Sequence, residues 1–240
     1  ELGLNPSVID SQDARDGLFA LTAEAVAHGA FGVPAFVVDG RLYWGQDRMH
    51  LVEDALGRRW PGLPGPTNAS SGQIVRFYHD FSSPFSYLAS TQIERVAAEN
   101  GANVDWLPIL LGGLFRSIGT PDVPLFAMSE PKRAYMGRDL EDWAKWWGVP
   151  FQFPSQFPIR SVQPLRVCIA VPELTSALYQ AAWADDRPID DPDVLRQIII
   201  ENGLDADAVF ERASSDPIKA ALRANTEQAQ QAGACGVPTY

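Results

Sequence analysis

The residues best suited to chemistry lie in one run, Asp80-Phe81-Ser82-Ser83-Pro84-Phe85-Ser86-Tyr87-Leu88. It joins an apolar stretch with strand character, Ile74–His79, to a segment of helical pattern. Ser83 therefore falls at or just before a helix N-terminus, with Pro84 suited to the first turn. Such an end presents unpaired N–H donors and about half a positive charge, which favours an anion such as a thiolate. The same position suits Ser83 as a plain N-cap, and both readings stay open on the motif alone. A second feature occurs twice: Gly-Val-Pro before a strand, at Val33-Pro34 and at Val237-Pro238. A proline there is a candidate for a cis bond, which would leave the valine's N–H and C=O free for an extended peptide. An ordinary strand-initiating proline is the alternative.

Composition narrows the partners. The chain has 240 residues, 46% of them apolar, enough for a sizeable core. A net charge of -11 argues against nucleic acid or an anionic membrane as partner. No apolar run approaches the roughly 18 residues that span a bilayer, and no basic-then-apolar leader opens the chain. Cys168 and Cys235 form no C-x-x-C pair and read as ordinary buried thiols of a reducing, cytoplasmic compartment. Cys235 in particular reads as a small core residue. His28, His50 and His79 share no spacing that suggests a metal site, so none is expected. Trp143, Trp146 and Trp147, at helical spacing, read as packing residues. Opening at Glu1 and stopping at Tyr240, the chain reads as a fragment.

The elements that must position these residues follow from an internal repeat. Glu1, Gly3 and Leu4 match Glu201, Gly203 and Leu204, while Thr22, Ala25 and Gly29 match Thr226, Ala229 and Gly233. Gly32-Val33-Pro34 then matches Gly236-Val237-Pro238. Two copies cannot stack into a solenoid, so this is domain duplication. Residues 1–60 read as the tail of one domain, 61–72 as a linker rich in Pro, Gly and Ser, and 73–240 as a domain lacking its final hairpin and helix. The spacing predicts a helix over 14–29, then strands Phe36–Val38 and Leu42–Trp44 about an Asp39-Gly40 turn. A helix over Asp47–Arg58 follows, with Met49, Leu51, Val52 and Leu56 on its apolar side. Beyond the linker come strand Ile74–His79, a helix from about Phe85 to Asn100 stopped by Gly101, and strand Val104–Leu107. Residues 132–147, 165–184 and 191–232 are mostly helical, giving an α/β layer architecture with a helical insertion over about 112–232. Since 73–240 stops where a third strand begins, Ala35–Arg58 is expected to dock on it as the tail of a circular permutant. The linker, extending to at most about 40 Å, permits this.

Assembled, these parts resemble a known family. Phe77 through Ala89, the helix bearing Lys132, Tyr135, Asp139-Leu140 and Trp143-Ala144 ahead of Gly148-Val149-Pro150-Phe151, and Trp44-Gly45-Gln46-Asp47-Arg48 are similar to 2-hydroxychromene-2-carboxylate isomerases. Those enzymes are relatives of kappa-class glutathione transferases within the DsbA-like thioredoxin superfamily. The resemblance implies a thioredoxin-like sheet with a helical insertion, and glutathione as cofactor. Ser83 then stands where a redox relative has its first active-site cysteine and Ser86 at the second, so a disulfide cycle is out. By the same carry-over Ser83 Oγ donates to the glutathione sulfur, and Val237, or Val33 in the other copy, pairs with the cysteinyl backbone. Asp47 receives the γ-glutamyl ammonium and Lys132 the glycyl carboxylate, with Gln46 and Arg48 beside them. A helix N-cap for Asp47 and a solvated surface site for Lys132 are the alternatives.

Gly119-Thr120 and Arg160-Ser161 depart from the family's usual residues there, which leaves the substrate open. Arg116 and Arg160 would meet a substrate carboxylate or else lie on the surface. The resemblance implies a glutathione-dependent isomerase of an aromatic catabolite, with a homodimer, or a pseudo-dimer within one chain, as its assembly. A kappa-like transferase and a non-catalytic DsbA-like binding protein are the alternatives.

Overall fold

The computed structural model of the chain describes residues 8–58 and 72–240; the expected linker from Pro61 onward falls almost wholly outside them, as do the repeat matches at Glu1, Gly3 and Leu4. The chain divides into two units, Glu1–Pro64 with Met128–Asp139, and Gly65–Ala127 with Leu140–Tyr240.

In the first unit, helix α1 (Gln12–Ala27) starts where the Ser11 side chain accepts from Ala14 N–H at 3.2 Å. Strands β1 (Ala35–Val38) and β2 (Arg41–Trp44) form an antiparallel hairpin in which Val38 faces Arg41. Asp39 and Gly40 both take positive φ, 49° and 77°, as the tight turn demands. The helix expected over Asp47–Arg58 is shorter. A 3-10 turn, Gln46–Arg48, leads into α2 (Met49–Ala55), which buries Leu51 and Val52 and leaves Leu56 exposed.

The second unit carries a parallel pair, β3 (Ile74–His79) and β4 (Asn103–Pro108), in register from Ile74↔Asn103 to His79↔Pro108. The connection is not the single helix expected. It breaks into α3 (Pro84–Ser90) and α4 (Ile93–Glu99). At the break the hydroxyls of Ser90 and Thr91 donate back to Tyr87 O (2.6 Å) and Leu88 O (2.7 Å), a local bonding that competes with helix continuation.

The helical remainder comprises α5 (Leu111–Ile118), α6 (Pro124–Ala127), α7 (Glu130–Trp147), α8 (Val162–Ala170), α9 (Thr175–Trp183), α10 (Pro192–Glu201), α11 (Ala206–Ala213) and α12 (Asp216–Gln231). Helix α7 belongs to the first unit through Asp139 and to the second beyond it. The main core gathers Phe81, Leu165, Leu178, Tyr179, Trp183 and Leu195, and Trp183 Nε1 donates to Phe81 O at 2.8 Å. Trp143 and Trp147 pack against this core, as their spacing suggested. No described helix is long and apolar enough to cross a membrane.

The strands pair locally within each unit. Among the described residues β1 pairs with β2 and β3 with β4, in separate two-stranded sheets. Beside β3, Tyr78 exchanges both backbone bonds with Thr239, at 2.9 and 3.1 Å. The chain's own second Gly-Val-Pro run, delivered by α12, thus takes that edge. Cys235 is corrected: it is exposed, and Ala234 fills the buried place instead.

Leu178 is fully buried in the main core. Leu178→Ala should lower unfolding free energy in urea by about 2–5 kcal/mol; a loss under half a kilocalorie would show this core to be loosely packed.

Candidate functional site

Strand β3 delivers three buried residues in succession, Phe77, Tyr78 and His79, and the chain then turns at Asp80. Asp80 is wholly buried. Its Oδ1 accepts from Ser82 N–H at 2.9 Å and its Oδ2 from Leu111 N–H at 2.8 Å. Burial raises its pKa, and hydrogen bonding from Ser161, Ser82 and Leu111 only partly offsets that. The carboxylate thus fixes the corner that ends β3 and the start of α5 together.

Ser83 is the N-cap of α3, with extended backbone and Pro84 in the first turn. Its Oγ accepts from Ser86 N–H at 3.2 Å and donates to Val237 O at 3.1 Å. The N-cap reading therefore holds. The hydroxyl caps the helix and also reaches the Val-Pro corner, where Val237-Pro238 is cis, as is Val33-Pro34. A third cis bond, Phe157-Pro158, carried no such signal. The expected free N–H donors are largely engaged: Ser82 N and Ser83 N bond to Asp80, and Ser86 N to Ser83 Oγ. What this corner offers an anion is the hydroxyl itself.

Two further buried groups nearby bond to each other. His79 stacks on Phe77 with centroids 5.2 Å apart, and its Nδ1 lies 2.9 Å from the Tyr179 hydroxyl. Burial pushes the imidazole pKa down to about 3 and the Tyr179 phenol well up. The hydrogen bonds of Ser83 Oγ run to main-chain groups, so this is no activated nucleophile. Cys168 is buried, with Sγ 2.8 Å from Thr175 Oγ1, and burial raises its thiol to about 12.

The first unit brings together Trp44, Gln46, Asp47, Arg48 and Lys132. Arg48 makes a two-pronged bond to Asp139, Nε to Oδ1 at 2.9 Å and Nη2 to Oδ2 at 2.7 Å, and also pairs with Asp47. The hydrogen bonding of Arg48 to Asp139 is the main reason that the arginine's pKa is raised. Its guanidinium is thereby committed to holding the chain after β2 against α7. Tyr135 accepts from Trp44 N–H at 3.0 Å, and burial pushes its phenol up to about 12. Lys132 Nζ stands 5.5 Å over the Trp44 ring. Gln46 and Asp47 are exposed, and Val33 is 88% exposed. Gly45 has φ +98, and a Cβ there would meet Asp47 Oδ1 at 2.5 Å, so the turn presenting Asp47 requires glycine.

The partnership of Arg48 with Asp139 went unread in the sequence. Its signal was the spacing of Lys132, Tyr135 and Asp139 along one helix face. Arg116 and Arg160 are exposed.

The model of the DSBA-like thioredoxin domain matches residues 2–57 and 74–240. A 2-hydroxychromene-2-carboxylate isomerase of Sphingobium xenophagum is 31% identical over 174 residues, covering 69% of this chain and 87% of that protein. Glutathione s-transferase kappa 2 of Caenorhabditis elegans is 27% identical over 183 residues, covering 69% and 79%. A solved 2-hydroxychromene-2-carboxylate isomerase superposes with TM-score 0.60 at 26% identity, over 70% of this chain and 84% of that one. The α/β thioredoxin-like fold and the resemblance read from the motifs both stand.

Two predictions follow from the buried charges. Arg48→Met strands Asp139, which is 1% exposed, and should cost about 3–5 kcal/mol in chemical denaturation. Pairing it with Asp139→Leu should return much of that loss. His79 binds its proton more weakly folded (about 3) than at the ordinary 6.5. Its contribution to stability is therefore whole above pH 6.5 and lost as pH falls toward about 3. The raised carboxyl of Asp80 acts in the opposite sense, so a variant must isolate the histidine. Over that window wild type should lose on the order of a few kcal/mol more than His79→Phe. Equal slopes would mean that the ring takes up its proton without unfolding.

Proposed function

This chain belongs to the DSBA-like thioredoxin domain family, and we propose that it is a glutathione-dependent enzyme that isomerises a 2-hydroxychromene-2-carboxylate-type aromatic compound. The observation that carries the reading is the Ser83 hydroxyl lying 3.1 Å from Val237 O. The donor and the acceptor assigned to glutathione satisfy one another in this structure. When the tripeptide enters, the cysteinyl N–H takes the Val237 carbonyl, and the released hydroxyl proton turns to the sulfur. The Ser86 N–H bond keeps Oγ in place throughout. A neutral hydroxyl beside a sulfur anion gives a charge-assisted bond, which holds the thiol ionised.

The thiolate supplies the nucleophile that the chain lacks at this corner. It adds to the conjugated carbon of the substrate, the double bond becomes single and rotates, and elimination returns thiolate and isomer. Glutathione is neither oxidised nor consumed. In the first unit, Val33, Asp47 and Lys132 carry a matching set: a Val-Pro corner, a carboxylate for the ammonium end and a cation for the glycyl carboxylate. Relatives named 2-hydroxychromene-2-carboxylate isomerase and glutathione transferase support this substrate and cofactor class.

Titration with glutathione, wild type against Ser83→Ala, tests the reading. The variant should raise the bound thiol's pKa by roughly one to two units, read from ultraviolet thiolate absorbance. Its isomerase kcat/KM should fall on the order of tenfold or more. Unchanged thiolate absorbance defeats the role of Ser83. Net loss of free thiol during turnover would point to a kappa-like transferase, and no calorimetric heat with glutathione to a non-catalytic binding protein.

A further inference from the structure

Apart from the serine corner, the second unit holds a cavity of about 340 Å³ among α5, α8 and α12 that shares no lining residue with Ser83 or Val237. Leu110, Val162 and Leu222 give it an apolar floor, and Arg166, Lys219 and Arg223 line it. Glu227 is the one carboxylate on that lining. A chain with 30 acidic and 19 basic side chains has thus gathered three cations around one hollow.

Lys219 is held by Asp216 at 3.3 Å, but neither arginine enters an ion pair among the described residues. Arg166 is half-buried, and its Nε is shielded without a hydrogen-bond partner among those residues. A charged group partly removed from water and left without a counter-charge is costly, which favours an anion beside this guanidinium. The floor is set in place: Thr226 Oγ1 accepts from Leu110 N–H at 3.0 Å and donates to Leu222 O at 2.8 Å.

We infer that this cavity binds a small organic carboxylate with an apolar body. The planar guanidinium fork matches the two oxygens of a carboxylate. The apolar floor takes the hydrocarbon, and the volume falls at the small end of the roughly 300–1,000 Å³ typical of ligand sites. Inorganic phosphate would satisfy the cations yet leave that floor unfilled. The inference stands apart from the glutathione reading, since no group assigned there lines the cavity.

Calorimetric titration of the full chain with 2-naphthoate, and separately with neutral 2-naphthalenemethanol, tests it. The acid should saturate one site, with the alcohol at least about tenfold weaker. Arg223→Met and Arg166→Met should each weaken the acid about tenfold, while Ser83→Ala leaves it unchanged. Arg223 is exposed, so its variant should keep the wild-type melting temperature and reports binding even where Arg166→Met disturbs folding. No saturable binding, equal affinity for acid and alcohol, or unaltered affinity in Arg223→Met would overturn the inference. So would inorganic phosphate binding as tightly as the acid, or loss of the site in Ser83→Ala.

Discussion

The structure around the serine corner depends on one buried carboxylate. Asp80 follows directly on β3, and its two oxygens accept main-chain N–H groups from two different segments, the turn at Ser82 and the start of α5 at Leu111. Burial works against its charge, and hydrogen bonding is what keeps such a group tolerable. Because the bonds run to backbone, they fix the path of the chain and not merely the pose of a side chain. Ser83 inherits its position from that path. Its own main-chain N–H bonds to Asp80 O at 3.1 Å, so the hydroxyl projects toward Val237 with little freedom to wander.

That placement gives the serine hydroxyl two defined main-chain partners. A protein sulfur at this corner would need a lowered pKa to act, and the chain's thiols are elsewhere: Cys168 is buried with its thiol raised to about 12, and Cys235 is exposed beyond α12. A hydroxyl has no such demand. It stays neutral near pH 7 and can both donate and accept a hydrogen bond. His79 lies in an aromatic enclosure. Burial pushes its imidazole down to about 3, so it packs as an uncharged flat ring at neutral pH with one polar contact to Tyr179.

Local chemistry was legible in the sequence wherever one or two residues decide the conformation. The Asp39-Gly40 turn, the Ser83 cap with Pro84 behind it and the two Val-Pro corners all took the form their types predicted. Features set by distant partners were not. The joining of Arg48 to Asp139 needs two elements to meet, and the pairing of Tyr78 with Thr239 needs α12 to return its end to β3. The expected single helix after Ser83 failed for a reason the pattern hides. Apolar periodicity continues through Thr91, while the hydroxyls of Ser90 and Thr91 quietly take carbonyls that would otherwise extend the helix.

The internal repeat shows most directly what a pattern can and cannot fix. Leu18, Thr22 and Ala25 on α1 correspond to Leu222, Thr226 and Ala229 on α12, and both threonines donate to the carbonyl one turn back, at 2.7 and 2.8 Å. The intrahelical chemistry is the same in both copies. Burial is not: Leu18 is 67% exposed whereas Leu222 is 4%. In α12 the threonine oxygen also accepts from Leu110, and Ala229 is sealed against Ile109 and Leu114. One sequence stripe therefore encodes the ability to seat a helix, while the β4–α5 corner beside it decides whether that ability is used. The same distinction separates Val33, 88% exposed in its corner, from Val237, whose carbonyl already receives the hydroxyl of Ser83. A Gly-Val-Pro run makes a corner, and its surroundings decide whether that corner lies open or meets a side chain such as that of Ser83.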